Sequence, residues 1–500
     1  MESAMPAWMA DHVPQNPTLR AAVAVVVLGL LASLLVALLE GARSGGKRPP
    51  TVRTLPLIGG LLEFLKGPLR LIDSSYKKYG EVFTLNLLHK RITFLIGPHV
   101  SANFFKADDE SLSQKEVYEF NIPTFGRGVV FDVDNKVRLE QFRFFADSLK
   151  SNRLRMYVGQ MVEEAEKYFE GWGESGEVDL LKELSDLIIM TASRTLLGRE
   201  VREHLFGRVS LLFHDLDMGM QPISVINPWL PIPAHKRRDK ARVELGKIFA
   251  KVIRARRESG VSEPDVLQAF IDAKYKNGRA LTDEEITGML IAVLFAGQHT
   301  SSITSTWTGM RLIYNKEKCM PPVLEEQRKI LAKHGDKLDY DILQEMDCLH
   351  RSVKEALRMN PPLIMLMRYV HKAYDVTTST GETYHIPKGN IVSVSPTYAH
   401  RLPHVYKDPD VFDPDRFAAP REEDKKVPFS YIGFGGGRHG CMGETFAYLQ
   451  IKTIWSILLR KFDFEFAQDH FPEPDYEAMV VGPKPPCRVR YKRRVLAPAE

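Results

Sequence analysis

Phe434-Gly435-Gly436-Gly437-Arg438-His439-Gly440-Cys441-Met442-Gly443 is the stretch from which the rest of the chain is read. It is a glycine-rich loop that ends in one cysteine, just before an amphipathic segment without proline at 444–462. Good helix formers at the apolar spacing predict a helix there. Three successive glycines let the backbone turn tightly and approach a flat ligand without Cβ clashes. The Cys441 sulfur then sits at a helix N-terminus, where the dipole and free backbone N–H groups favour a thiolate. A thiolate held in this way is a metal ligand, tuned by the N–H groups around its sulfur.

Two plainer readings compete for the same loop. Gly435-x-Gly437-x-x-Gly440 matches a dinucleotide-binding fingerprint, but that motif needs a preceding core strand in a run of βαβ units. This chain supplies no such alternation. The other is an inert buried cysteine, since free Cys packs as a small hydrophobe. Taken alone, the loop leaves a heme-thiolate, a phosphate loop and plain core all open.

Three motifs in order narrow this. Phe434-x-x-Gly437-x-x-x-Cys441-x-Gly443 resembles the heme-binding loop of the cytochrome P-450 superfamily. Glu355-Ala356-Leu357-Arg358 is similar to that superfamily's Glu-x-x-Arg pair, and Pro414-Asp415-Arg416-Phe417 to its following arginine segment. The resemblance covers the chain from about Pro50 onward. It implies a mainly α fold with small β-sheets and heme b (iron protoporphyrin IX) held by Cys441, next to Phe434 and Gly435. It also implies a buried structural network of Glu355, Arg358 and Arg416, although an i,i+3 pair alone reads as a solvated helix-face ion pair.

Composition agrees. The 500 residues show no internal repeat, and no Gly-, Ser- or Pro-rich linker cuts the chain after residue 50. One catalytic domain (51–500) behind a membrane anchor and hinge (1–50) is expected, and 44% hydrophobic residues suffice for its core. A net charge of +5 is mild for this length and does not suggest nucleic-acid binding. Cys319, Cys348, Cys441 and Cys487 lack disulfide or metal-cluster spacing, as suits a reducing, cytosol-facing compartment. Residues 21–39 are nineteen uncharged, almost wholly apolar positions, long enough to cross a bilayer. The basic cluster Arg43, Lys47, Arg48 and Arg53 follows them, which by the positive-inside rule keeps the domain cytosolic. A cleavable signal peptide would carry its charge before a shorter apolar run. Pro49-Pro50 and Leu55-Pro56-Leu57-Ile58-Gly59 then read as a stiff hinge.

Along the domain, β-branched alternation at 79–97 predicts a hairpin. Residues 118–132, with a proline, two glycines and three Phe, predict an irregular pocket or surface loop. Helices are expected from Asn135 through Gly198, mixed structure over 205–234, and helix again over 236–257. Thr282-Asp283-Glu284-Glu285 is a capping box opening a helix to about Asn315, roughly 50 Å long. Its middle, 290–297, is apolar all round and predicts burial. Gln298-His299-Thr300-Ser301-Ser302 follows at once. There the plain reading is a hydroxyl bonded to the preceding turn and a satisfied core histidine. A second helix is expected over 340–359 and a short strand at 391–395. Residues 479–483 predict an apolar turn that closes over a pocket, and the basic run 488–494 predicts a solvated tail.

Two further segments sharpen the resemblance. Ala296-Gly297-Gln298-His299-Thr300-Ser301-Ser302 resembles the sterol 14α-demethylases, in which His stands where most of the superfamily has an acid. Tyr118-x-Phe120-x-x-Pro123-x-Phe125-Gly126-x-Gly128-Val129-x-Phe131-Asp132 does the same. What this family implies is three NADPH- and O2-dependent oxidations that remove a sterol 14α-methyl as formate. Electrons would come from NADPH–cytochrome P-450 reductase, at the endoplasmic reticulum membrane, in a single-pass monomer open to azole-type inhibitors. The resemblance makes Cys441 the axial ligand, Thr300 the hydroxyl at the oxygen site, and His299 a proton relay paired with Asp217. It makes Tyr118, Arg368 and His439 donors to the heme carboxylates. Phe131 stands where a second Tyr is frequent and Leu139 near a position that is frequently basic, so Lys136 or Arg138 is expected to compensate. The resemblance ties Phe120 to sterols with one C4 methyl, such as obtusifoliol rather than lanosterol. Phe125, Ala296, Leu363, Met365, Met367 and Met479 complete the expected pocket, with Tyr118. Kept beside this are a monooxygenase of another lipid, a reductase-independent peroxide isomerase and a non-enzymatic heme sensor.

Overall fold

The architecture is a layer of long helices flanked by three small sheets, seen in a computed structural model that describes residues 46–54, 59–87 and 90–499. The expected membrane segment 21–39 and the Leu55-Pro56-Leu57-Ile58 part of the hinge lie outside the described residues. At the centre runs the helix Asp283–Tyr314. Thr282 caps it: its Oγ1 accepts from the Glu285 N–H at 3.1 Å, and Glu285 accepts from the Thr282 N–H at 2.8 Å. It packs against Leu180–Ala192, Pro233–Ser259, Asp347–Met359 and Glu444–Lys461. One contact shows how close the helices come. A Cβ on Gly309 would lie 2.1 Å from the Trp455 ring, so only glycine admits that indole. Although long and apolar enough to cross a membrane, this helix is mostly buried in protein and is a core helix.

The predicted hairpin forms as Val82–Leu87 paired antiparallel with Lys90–Leu95. It is the edge of a five-stranded sheet that continues through Ile391–Val394, Leu366–Val370 and Leu112–Ser113. Leu366–Val370 thereby brings Met367 and Arg368 beside the 118–132 loop. That loop is irregular as expected, broken into the short turns Glu119–Asn121 and Ile122–Phe125.

Four expectations need correcting. The 340–359 helix is two helices, Tyr340–Gln344 and Asp347–Met359, because the Cys348 and Leu349 N–H groups turn to the Glu326 carboxylate and start a new N-terminus. The helical run before Gly198 is interrupted by the strand Ser175–Asp179, whereas 205–234 is mixed as expected, with the helices Phe206–Asp217 and Pro222–Ile226. The basic 488–494 segment is not a solvated tail. Arg488–Arg493 is the central strand of a three-stranded sheet, between Ser175–Asp179 and Phe462–Phe466, with Val489 fully buried. Its alternation, charges out and Val489 and Tyr491 toward the core, is a strand signal that the charge count hid. Finally, 290–297 is not uniformly buried. Leu290, Ile291 and Leu294 are, but Ala296 is exposed and Ala292, Val293, Phe295 and Gly297 are half-exposed. One flank of the helix therefore lines open space instead of core.

Candidate heme and substrate site

The Cys441 loop is held from behind by buried charge. Glu355 and Arg358 on Asp347–Met359 and Arg416 on the turn Pro414–Phe417 are all fully buried. Glu355 Oε2 accepts from Arg358 Nε at 2.7 Å, and Oε1 accepts from Arg416 Nε at 2.9 Å and from the Asp413 N–H at 3.0 Å. The Arg358 carbonyl accepts from His400 Nδ1 at 3.1 Å, and His400 Nε2 in turn accepts from the Ile432 N–H at 2.8 Å. That chain of bonds ends at the entrance of the loop. Burial keeps His400 neutral, with a pKa pulled down to about 3. The network ties the Cys441 loop to Asp347–Met359 through buried bonds.

Inside the loop, the Cys441 N–H donates to the Phe434 carbonyl at 2.8 Å and Gly435 turns with φ +72°. Gly437 has φ +62°, and a Cβ there would lie 2.0 Å from the Phe105 carbonyl oxygen. The regular helix begins at Glu444, three residues after the cysteine and not at it. Burial raises the Cys441 thiol above its ordinary range, against the opposing bond from the Gly443 N–H to sulfur. Yet the residue is exposed to solvent. Sulfur that is both desolvated and reachable lies in a concave site. One sulfur at such a site could hold a metal that carries its remaining ligands with it, as in a macrocycle.

The donor set beside the loop fits such a group. Arg368 is buried, stacks 4.7 Å from the Phe104 ring and bonds only the carbonyl of Met367, and burial pulls its guanidinium down to about 10. His439 bonds Asp109 through Nε2, while its buried Nδ1 has no partner. Tyr118 accepts the Met367 N–H at 3.3 Å, and burial raises its phenol pKa. Lys136 and Arg138 differ in burial. Lys136 and Leu139 are exposed, whereas Arg138 is buried, bonds Gln114 and lies 5.6 Å over the Phe131 ring. Its Nε is buried without a partner, and desolvation lowers its pKa despite Asp109 and Glu116. A buried guanidinium with an unused N–H, as at Arg138 Nε, is what a carboxylate on a flat ligand would satisfy. Arg138 was legible only as a helix cation, since its burial depends on the Phe131 ring that receives it.

Above this lies the lining. Tyr118 packs 6.4 Å from Phe120 and 5.7 Å from Phe131, and Phe125 lies 6.2 Å from Phe131 and 6.1 Å from Phe295. Phe120 is buried, and Ala296 and Leu363 are exposed to the open space. Met365, Met367 and Met479 are half-buried, and the expected closing turn is pinned by the Val481 N–H to the Pro362 carbonyl at 2.8 Å. Asp217, from a separate helix, reaches the long helix: its Oδ1 is 3.0 Å from His299 Nε2. Thr300 Oγ1 donates to the Ala296 carbonyl at 2.6 Å, the back-bonding that sequence allowed as the plain reading. Contacts thus join Tyr118 to Met367, Phe125 to Phe295, Phe295 to His299 and His299 to Asp217.

Known proteins resemble this chain in sequence and fold. Residues 49–490 match the family described as Cytochrome P450. The chain is 60% identical over 487 residues to obtusifoliol 14-alpha demethylase of Sorghum bicolor, covering 97% of this chain and 98% of that protein. It is 42% identical over 459 residues to lanosterol 14-alpha demethylase of Bos taurus, covering 90% and 89%. The structure of retinoic-acid-bound cyanobacterial CYP120A1 superposes with a TM-score of 0.79 at 24% identity, covering 90% of this chain and all of that one, a likeness of fold. Relatives that are demethylases displace the isomerase and sensor readings. With a single reachable cysteine in a glycine cradle, unpaired buried donors beside it and these relatives, the chain belongs to the cytochrome P-450 family, heme-iron monooxygenases that use O2, and within it to the sterol 14α-demethylases.

Proposed function

We propose that this chain removes the 14α-methyl group of obtusifoliol as formate in three successive oxidations, each using O2 and NADPH-derived electrons. The electrons would arrive through NADPH–cytochrome P-450 reductase. Cys441 would hold the heme iron, with Tyr118, Arg138, Arg368 and His439 on its carboxylates. When bound, heme with an axial thiolate supplies the electron-rich centre that activates O2. The residues of the chain do the rest. Phe120, Phe125, Phe131 and Phe295 exclude water and orient an apolar, rigid substrate against the open flank of the long helix. Asp217 is 38% exposed and so reaches solvent, and its contact with His299 carries protons toward a helix segment that apolar side chains keep otherwise dry. Imidazole suits that relay because it titrates near neutral pH. Thr300 stands next, its hydroxyl parked on the Ala296 carbonyl.

The observation that carries the reading is the Asp217–His299 pair at 3.0 Å, which unites two helices next to Thr300 in sequence. Obtusifoliol is favoured over lanosterol by the buried Phe120 ring against Tyr118, which leaves little volume for a second C4 methyl. Residues 1–50 would anchor the chain in the endoplasmic reticulum membrane as a single span, with residues 51–500 as a cytosolic, monomeric catalytic domain that azole-type heterocycles inhibit. The test is reconstituted turnover with reductase and NADPH on both sterols, assaying formate. Formate mainly from obtusifoliol supports the proposal, equal rates discard Phe120 as the selector, and no formate from either refutes the reaction.

A further inference from the structure

Val130 is the strained point of the substrate loop. It is β-branched, buried, and has φ +49°, a left-handed conformation that a residue of its kind rarely adopts. Such strain persists only where the surroundings over-determine it. Two residues hold the turn. Asp132 closes it locally, its Oδ2 accepting from the Gly128 N–H at 2.9 Å and its own N–H donating to the Val129 carbonyl at 3.1 Å. Gln141, on the helix Asn135–Ser148, is fully buried and uses both ends of its amide. Its Oε1 accepts from the Val130 N–H at 2.8 Å, and its Nε2 donates to the Gly128 carbonyl at 2.9 Å and to Tyr275 Oη at 3.1 Å. Tyr275 Oη donates in turn to Glu285 Oε1 at 2.9 Å, the capping residue of the long helix.

The loop is seated on two other elements but not shaped by them. Arg242 donates to the Phe125 carbonyl at 3.1 Å. Gly288 lets the loop lie against the long helix, where a Cβ would come 2.5 Å from both the Phe125 carbonyl and the Val129 side chain. Neither touches the Gly128–Val130 backbone polar groups. Gln141 is the side chain from outside the loop that bonds the Val130 N–H and the Gly128 carbonyl, and Phe131, the next residue, is the ring on which Tyr118, Phe125 and Arg138 converge.

We infer that Gln141 is a positioning residue for substrate: it enforces the strained Val130 turn, sets the direction of the Phe131 ring, and couples the pocket loop to the start of the long helix through Tyr275 and Glu285. The inference deepens the sterol reading and rests on it for the kinetic part of its test. Gln141 touches neither the cysteine loop nor Thr300, so its loss acts on substrate fit and not on the oxidation itself.

The experiment is a two-by-two cycle on the heme-loaded, full-length enzyme. Gln141→Leu removes both loop bonds at similar volume, and Val130→Gly permits positive φ without strain. Gln141→Leu is expected to raise the KM for obtusifoliol about tenfold with kcat within about twofold, since relaxed strain of this kind is of that order. In the Val130→Gly background the same substitution is expected to raise KM less than about threefold, because glycine keeps the turn without the clamp. Hydrogen exchange at the Val130 amide, read without any sterol, should accelerate at least tenfold in Gln141→Leu. This readout separates failure of the inference from failure of the sterol reading. An unchanged exchange rate, an equal KM effect in both backgrounds, or a kcat loss at constant KM overturns the inference. Should Gln141→Leu not fold, Gln141→Glu keeps the acceptor for Val130 and loses the donor to Gly128, and an unchanged KM in that variant equally overturns it.

Discussion

Glu355→Gln tests the claim that buried charge, and not surface pairing, holds the heme loop. The two Glu355 oxygens face four N–H donors: Arg358 Nε and Nη2, Arg416 Nε and the Asp413 backbone, at 2.7–3.0 Å. An amide group in place of one oxygen points donor at donor and leaves two fully buried guanidiniums with Glu423 as the remaining carboxylate partner, 2.8 Å from Arg416. Removing one partner of a buried pair costs about 3–5 kcal/mol because the other charge is left uncompensated. Unfolding entropy scales as about 2.1 cal/mol/K per residue, so a domain of this size loses about 1 °C in Tm per ~1 kcal/mol. A fall of about 4 °C is expected, together with reduced heme content on expression, since the Arg358–His400–Ile432 bonds lead to the loop. The control is Asp186→Asn, which breaks an exposed pair with Lys182 at 2.9 Å and is expected to shift Tm by less than about 1 °C. Differential scanning of both variants, with heme absorbance per protein, decides it. Equal shifts, or a Glu355→Gln enzyme with full heme and unaltered Tm, would refute the reasoning.

Phe120→Leu should raise the lanosterol-to-obtusifoliol ratio of kcat/KM by about tenfold or more, because a methyl's worth of volume in an apolar pocket is worth ~1–3 kcal/mol. His299→Ala should collapse turnover while leaving the heme spectrum intact, and Asp217→Asn should reproduce most of that loss; full turnover in either would discard the relay. Gly437→Ala should fail to retain heme, as its Cβ meets the Phe105 carbonyl oxygen at 2.0 Å in a backbone of φ +62°. The pH profile of stability follows from His400. Its folded pKa of about 3 lies below the ordinary 6.5, so the unfolded state binds more protons between those values. The stability it contributes is full above about pH 6.5 and falls away as pH drops toward about 3; denaturant titrations should show a shallower acid decline in His400→Asn than in the parent.

Much of this was legible because it is local. The capping box at Thr282 and Glu285, the hairpin alternation at 82–95 and the irregularity of 118–132 each depend on neighbours in sequence, and each formed as read. The Cys441 loop and the Glu355, Arg358 and Arg416 set were legible for another reason: glycines and buried ion partners restrict what the backbone can do, so their spacing survives as a motif. What failed was whatever depended on long-range partners. Residues 488–493 look solvated until Ser175–Asp179 and Phe462–Phe466 arrive on either side. The helix over 340–359 looks continuous until Glu326, from another helix, takes two of its N–H groups.

The sequence by itself thus determined the helical class, the cysteine loop, the long central helix and the family, all carried by patterns within a few tens of residues. Tertiary structure alone decided that Arg138 and not Lys136 is buried, and that Gln141 closes on Val130. Both depend on which surfaces the packed helices turn toward one another. Burial, which gives an unpaired N–H or a strained φ its energetic meaning, exists only once the chain has closed around it.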